Sequence, residues 1–306
     1  SPAPSAAATL AIVSNVTLVG DEAAYSPDGQ WFAFSARPAG STIGPDIYVW
    51  RPGEAAAEAI TSDHGTVFSG WIGGQILASR AIPEATAGTA APSTSSSPAD
   101  SAGPRASASP ALAMPAALLI QPTTGQVTRL SGLEGWRPVV DPSGRWVAYW
   151  SGSLAFDPAS GEWRPAEGRL EVASWPAVNA ASDPSSVAAT ARVLPFDAVV
   201  DWDLMWDEAG SHLGVWIADP NNPGLGSLSL LTIDQGSGAV SSASPQLLSA
   251  TLAERGFTLK DGQLVWASPP GQDGNGSHLS VLAWSGPNAG KTTIKSLGPG
   301  VVLLLH

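Results

Sequence analysis

A glycine followed by one polar residue and then an apolar run recurs five times along this chain, and nothing else in the sequence constrains the fold as tightly. Gly29 leads into "QWFAFSA", Gly74 into "QILASR", Gly144 into "RWVAYWS", Gly210 into "SHLGVWI" and Gly262 into "QLVWAS". Two copies are fuller: "YSPDGQWFAFS" at 25–35 and "VDPSGRWVAYW" at 140–150. Pro27 and Pro142 fix φ on the way into a tight turn, and the glycine supplies the permissive backbone from which a strand leaves. The glycines are 45, 70, 66 and 52 residues apart. The shortest interval is close to the ~40–50 residues of a four-stranded repeat unit, so the longer ones carry insertions.

Further strands follow each run. The first unit continues with "DIYVWRPG" and "AEAITS", the second with "PAALLIQPTTG" and "QVTRLSG", and the third with "RLEVASWP" and "ATARVLP". The fourth has "GSLSLLTIDQGSG" and "AVSSASPQLL", and the fifth "SHLSVLAWSG" and "KTTIKSLG". Their apolar residues run almost continuously rather than alternating, as in strands covered on both faces. Abundant Gly and Pro, 33 and 27 residues, and only 13% charged residues also favour short strands over long helices. The expected fold is all-β: a β-propeller of five four-stranded blades, with a degenerate sixth as the alternative, occupying 9–306 as one domain. "TLAIVSNVTLV" (9–19) is expected to supply the outer strand of the last blade, so that N- and C-terminal strands close the ring.

Two stretches fall outside the repeat. Residues 1–8 read as a Pro/Ala/Ser linker. Residues 81–114 are nearly all Ala, Ser, Pro, Thr and Gly, too poor in apolar surface to offset ordering, and are expected to form an extended or disordered loop inserted in the second unit. A formal net charge of −12 with only 14 Lys and Arg argues against nucleic acid and against an anionic membrane surface. No segment approaches the ~20 apolar residues of a membrane span. The absence of cysteine removes disulfides and thiolate chemistry.

The densest acidic site is "DWDLMWDEAG" at 201–210. On a strand, Asp201, Asp203 and Asp207 share one face by parity, opposite Trp202, Leu204 and Trp206. Paired carboxylates beside aromatic rings suit glycoside hydrolysis or cation binding, whereas a turn cap and a solvated channel mouth are the plainer reading. Glu134 and Glu171 are further acids without an assigned place. Thirteen Trp is a high count: Trp31, Trp50, Trp146, Trp150, Trp216 and Trp266 fall within strands as packing residues, whereas Trp71, Trp136, Trp163, Trp175 and Trp202 lie nearer loops or strand ends. An exposed Trp there would be a platform for a sugar ring or a peptide side chain. "SGPNAGKTT" (285–293) lacks the glycine spacing of a phosphate-cradling loop and reads as a hairpin. The four His are scattered, and no G-x-S-x-G elbow is present, so neither a metal nor a cofactor is expected.

The stretch "YSPDGQWFAFSARPAGSTIGPDIYVWRPGEAAAEAIT" (25–61) resembles the WD-like repeat of TolB-type β-propellers, through its S-P-D-G turn, apolar strand and D-I-Y-V strand ending in I-T. The third unit follows it with "DPSG", and the second, fourth and fifth keep the glycine and the strand pattern. The resemblance implies an extracytoplasmic, monomeric propeller that binds a protein or polysaccharide at one rim. It further implies a lipoprotein or the outer sensor domain of a membrane-anchored regulator of the anti-sigma-factor kind. The alternative is a carbohydrate-active enzyme using Asp201 and Asp203.

Overall fold

The computed structural model describes residues 15–83, 111–197, 199–242, 252–269 and 278–296. The first unit is a four-stranded antiparallel sheet of β1 (Val16–Tyr25), β2 (Phe32–Pro38), β3 (Asp46–Trp50) and β4 (Glu58–Ala59), in that order. The second comprises β5 (Thr66–Ile72), β6 (Gln75–Pro83), β7 (Leu112–Ile120) and β8 (Val127–Arg129). The third comprises β9 (Trp136–Val140), β10 (Trp146–Asp157), β11 (Glu162–Ser174) and β12 (Arg192–Val193). The fourth is β13 (Trp202–Trp206), β14 (His212–Asp219), β15 (Asn222–Ile233) and β16 (Val240–Ser242), with β17 (Leu252–Glu254) added to the far end of β15. The fifth is β18 (Phe257–Lys260), β19 (Gln263–Ser268), β20 (His278–Ala283) and β21 (Thr292–Ser296). Two short helices, α1 (Trp175–Ala180) and α2 (Pro184–Ala188), interrupt the otherwise all-β chain between β11 and β12.

The turn glycines behave as the sequence requires. Gly29, Gly74, Gly144, Gly210 and Gly262 all have left-handed φ, between 68° and 81°. In the first, third and fourth units the glycine N–H closes a turn onto the carbonyl three residues earlier: Ser26, Asp141 and Asp207, at 2.8, 2.9 and 3.0 Å. The fourth unit thus matches the first and third more closely than its sequence suggests. In the second and fifth units, Gly73-Gly74 and Asp261-Gly262 form two-residue hairpin loops between Ile72 and Gln75 and between Lys260 and Gln263, with both loop residues at positive φ.

The buried apolar residues gather where each sheet meets the next. Ala33, Ile47 and Val49 of the first sheet pack with Phe68, Ile76 and Leu118 of the second. Leu77 and Ala117 pack with Val147 and Tyr149 of the third, closed off by Val178 of α1 and Val187 of α2. Trp150, Leu170 and Val172 pack with Trp202, Leu213 and Val215 of the fourth. Trp216, Leu228 and Leu230 pack with Phe257, Leu264 and Trp266 of the fifth. Sheets stacked this way explain the unbroken apolar runs: Leu213–Ala218 of β14 is buried at every position, because each face meets another sheet. The outer face of the first sheet collects Phe34, Tyr48 and Trp50 into a cluster of its own.

The structure departs from the sequence reading in two places. Val16–Val19 do not extend the fifth sheet. They begin β1, with Val16, Thr17 and Leu18 paired to Pro38, Arg37 and Ala36 of β2, because β1 runs ten residues and carries an irregularity between Leu18 and Ala23 that lets one strand serve the sheet along its full length. The remaining residues of the proposed closing strands, 9–14 and 301–306, lie outside the described residues, as does the linker at 1–8. The insertion is also narrower than 81–114. Ala81, Ile82 and Pro83 extend β6 in register with Pro115, Met114 and Ala113 of β7, while Leu154 and Ala155 of β10 pair with Ala113 and Leu112. A composition poor in large side chains still forms a ladder when neighbouring strands supply its hydrogen bonds. Residues 84–110 lie outside the described residues.

Candidate functional site

A cavity of about 560 Å³ is lined by residues on the first strands of the first four units, by Arg255 ahead of β18, and by the β10–β11 and β14–β15 hairpins. Counting back seven residues from each turn glycine reaches Glu22, Val67, Arg137, Asp203 and Arg255. Glu22, Val67, Arg137 and Arg255 line the cavity, and Asp203 joins them through both arginines. Nine residues back stand Gly20, Gly65, Gly135 and Ala253 in four units and Asp201 in the fourth. One register position is therefore presented to the same space five times, and the fourth unit adds a second carboxylate there.

Local backbone irregularities deliver these groups. The break in register between Leu18 and Ala23, with Gly20 at φ 75°, turns Glu22 inward. Arg137 has φ 50°, an uncommon conformation for a side-chain-bearing residue, and its N–H donates to the Ser79 hydroxyl at 2.8 Å. Its guanidinium donates to Asp201 Oδ1 at 2.9 Å, to Asp203 Oδ1 at 3.0 Å and from Nε to Glu22 Oε1 at 2.9 Å, and Nη2 also contacts Glu22. Arg255 answers from the link between β17 and β18. Its Nε reaches Asp203 Oδ2 at 2.9 Å and its Nη1 reaches Asp201 Oδ2 at 2.7 Å. Each arginine also lies over an indole ring, Arg137 above Trp202 at 5.1 Å and Arg255 above Trp216 at 5.4 Å.

All four oxygens of Asp201 and Asp203 therefore accept from arginine. Burial pushes the Asp203 carboxyl up, but Arg137 and Arg255 outweigh it and hold the group below the ordinary aspartate range. Glu22 goes the other way: burial, reinforced by the Asp203 charge, raises it despite Arg137. Burial works against the charge on Arg137 too, but the surrounding carboxylates keep it protonated.

The structure brings Asp201 and Asp203 together and separates Asp207 from them. Asp207 lies beyond the end of β13, so strand parity no longer applies to it. It caps the turn, accepting from the N–H groups of Ser211 and His212 at 2.7 and 2.8 Å, as Asp141 accepts from Arg145 and Trp146 at 2.7 and 2.6 Å. Trp136, Trp175 and Trp202 are buried, at 4, 6 and 1% exposure, and offer no open platform. Trp202 stacks on Trp150 at 5.3 Å, and Trp175 packs at the start of α1 against the second and third sheets. Trp71 is half-buried in the first interface, with its indole N–H on the Ala24 carbonyl at 2.9 Å. Trp163, also half-buried, is the one whose wall position leaves surface on the cavity, alongside the edges of Trp136 and Trp202. Glu171 is buried elsewhere, accepting from Tyr149 at 3.0 Å and Arg169 at 2.7 Å, and Glu134 lies 3.8 Å from Arg129. The 285–293 stretch joins β20 to β21 through a single 3-10 turn, with no helix to hold a phosphate.

Glu22, Arg137 and Arg255 escaped the sequence reading. Their signal was present, seven residues before each turn glycine, but became visible only once the turn was known to fix the register of the preceding strand.

The fold aligns with TolB and with β-propeller domains. A protein assigned as TolB from Agrobacterium tumefaciens matches at 14% identity and TM-score 0.44, over 75% of this chain and 66% of that one. The Pyrococcus horikoshii acylaminoacyl peptidase matches at 11% identity and TM-score 0.47, over 94% of this chain but 39% of that one. The β-propeller domain of the Trilobed protease from Pyrococcus furiosus matches at 11% identity and TM-score 0.40, over 94% and 86%. This chain thus spans about two fifths of the peptidase. No protein-family model matches the sequence, and no curated protein matches it. No helix among the described residues is long and apolar enough to cross a membrane.

Proposed function

We propose that the five units are the blades of a five-bladed ring, and that this ring is a non-enzymatic binding or sensing module. Its setting in this reading is extracytoplasmic, as part of a membrane-anchored regulator or a lipoprotein. The ring reading is supported by the fivefold register at the cavity and by the apolar outer face of the first sheet, which would receive the fifth.

The functional reading is carried by the double clamp on Asp201 and Asp203. A glycoside hydrolase needs one carboxyl held protonated near neutrality and a second free to attack or to activate water. Here Asp203 is shifted in the wrong direction for an acid, and neither aspartate has an oxygen without an arginine on it. Such a pair ties sheets together. It does not cleave bonds. What remains at the cavity is a preformed recess with mixed polar and aromatic walls, the usual form of a binding site.

The test is a binding and turnover comparison on the purified protein. Cell-wall glycans and envelope proteins from the native host should include a saturable ligand, and oligosaccharides should not be hydrolysed. Turnover that disappears in Asp203→Asn would establish the enzyme instead. Fractionation of cells carrying the tagged full-length protein should place it with the envelope; a freely cytosolic protein would refute that setting.

A further inference from the structure

The cavity also constrains what it can hold, and the following rests on the binding-module reading and narrows it. We infer that the cavity takes an uncharged, hydroxyl-rich ligand of the saccharide class, seated against Trp163.

Size comes first. About 560 Å³ lies inside the roughly 300–1,000 Å³ typical of small-molecule sites, room for a mono- or disaccharide rather than a folded partner. Charge then selects among ligands of that size. Arg137 is committed to Glu22, Asp201 and Asp203, Arg255 to Asp201 and Asp203, and Arg164 Nε lies 3.3 Å from Asp157. An anionic ligand would have to draw Arg137 or Arg255 away from carboxylates that stay behind, which is strongly unfavourable at these partly buried positions, whereas the exposed Arg164–Asp157 pair resists it only weakly. Glu162 and Asp219 add further negative charge to the wall and repel it again. A cation finds all four oxygens of Asp201 and Asp203 already occupied by arginine. Only the separate carboxylates of Glu22, Glu162 and Asp219 are left to attract it, and no three acidic or histidine side chains among the described residues converge to hold a metal ion.

A neutral polyol disturbs none of these pairs. Its hydroxyls can donate to acceptors the protein leaves open: Glu22 uses only Oε1 for Arg137, and Glu162 accepts from no described residue. Trp163 supplies the complementary surface. Its ring is held by an edge-to-face contact with Phe156, centroids 5.3 Å apart at 61°, so the aromatic platform is fixed before a ligand arrives. Glu162 and Arg164 flank it on the same strand, and Pro165 extends the apolar wall. A flat apolar face beside planar groups with paired oxygens or nitrogens fits a sugar ring, whose C–H face and adjacent hydroxyl pairs need those two surfaces at once.

Calorimetric titration of the whole chain with cellobiose, chitobiose, a glucuronic-acid-containing disaccharide and trilysine tests this. At least one neutral disaccharide should bind, with an affinity that changes little with salt. Trp163→Ala should weaken it more than about tenfold, a loss of about 1.4 kcal/mol per tenfold step. Trp163→Phe should restore part of the loss, and Glu162→Gln should weaken binding less. Near-ultraviolet circular dichroism of each variant reports whether the fold is kept. Binding of trilysine or the acidic sugar alone, at a Trp163-dependent site, would overturn the ligand class while leaving the binding-module reading in place. Neutral sugar binding that ignores Trp163 overturns the site. Absence of binding by all four probes overturns the inference, and the envelope-protein arm of the earlier test then decides the broader reading by itself.

Discussion

Gly29 and Gly210 occupy the same turn position, with φ of 69° and 68°, yet alanine should affect them unequally. A Cβ on Gly29 would point into open space, so Gly29→Ala pays only the left-handed backbone term, about 1–2 kcal/mol. A Cβ on Gly210 would overlap the Asp141 carboxylate, the cap of the neighbouring unit's turn. Gly210→Ala should therefore be the more damaging, by at least about 1 kcal/mol further, in urea titrations of both variants. Asp207→Ala removes the acceptor for the Ser211 and His212 N–H groups and should destabilise by about 1–3 kcal/mol. Asp207→Ser should recover part of that, since Ser26 serves the equivalent turn in the first unit by accepting from Trp31 N–H at 3.0 Å. At this scale the sequence was informative about backbone and misleading about side chains. The turn glycines could be read because few other residues adopt their φ. Asp207 stood among the candidate site residues although a turn cap was its plainer reading, because acidity alone does not distinguish a cap from a catalyst. Its offset of three from Gly210, the same as Asp141 from Gly144, was the clue.

Among the elements, β10 and β11 carry the largest surprise. Their hairpin pairs from Trp146 and Ser174 out to Asp157 and Glu162, well past the end of β9, and the far half turns to meet β7. Its tip reaches the first sheet, where Arg37 Nη1 donates to the Ser160 carbonyl at 3.3 Å. The bend is permitted by Gly152 and Gly168, which face each other across the hairpin. A Cβ on Gly168 would collide with the Ser151 carbonyl and the Trp150 ring. Gly226 meets Trp216 and the Ile217 carbonyl in the same way in the fourth unit. Gly168→Ala should therefore lower the thermal midpoint and expose the amides of the distal hairpin to hydrogen exchange. An Ala on the open side at Gly161 meets chiefly the Thr42 carbonyl at 3.1 Å and its own φ of 74°. The strands were legible from their apolar runs, whereas the length of this hairpin was not. Residues 162–168, "EWRPAEG", carry polar and proline residues that no strand pattern would include, and they are ordered by their partner strand and by the Trp163–Phe156 contact.

For the whole molecule, the ion network links the first, third, fourth and fifth units, so its perturbation should be felt globally. Arg137→Ala would leave Glu22 and Asp203 without their shared partner and should cost about 3–5 kcal/mol, measured by chemical unfolding. Arg137→Lys, which cannot span three carboxylates with a planar fork, should fall between. The pH dependence has two components of opposite sign. Asp203, held below the ordinary value of 3.8, contributes stability that is present above that value and lost as pH falls through its lowered pKa. Glu22, raised above 4.5, binds its proton more tightly folded than unfolded, so its contribution declines as pH climbs from 4.5 through the raised value. Unfolding curves taken between about pH 3 and pH 7 should show Glu22→Gln gaining on the parent as pH rises, and Asp203→Asn losing the acid-sensitive limb. A parallel pair of curves would refute the assignment of either group.

Pro83 and Ala113 stand opposite each other in the β6–β7 ladder, although 30 positions separate them in the sequence. A chain that departs and returns at neighbouring rungs makes an address for cargo. A reporter or affinity handle whose own ends lie close together can be spliced in there without prising the strands apart.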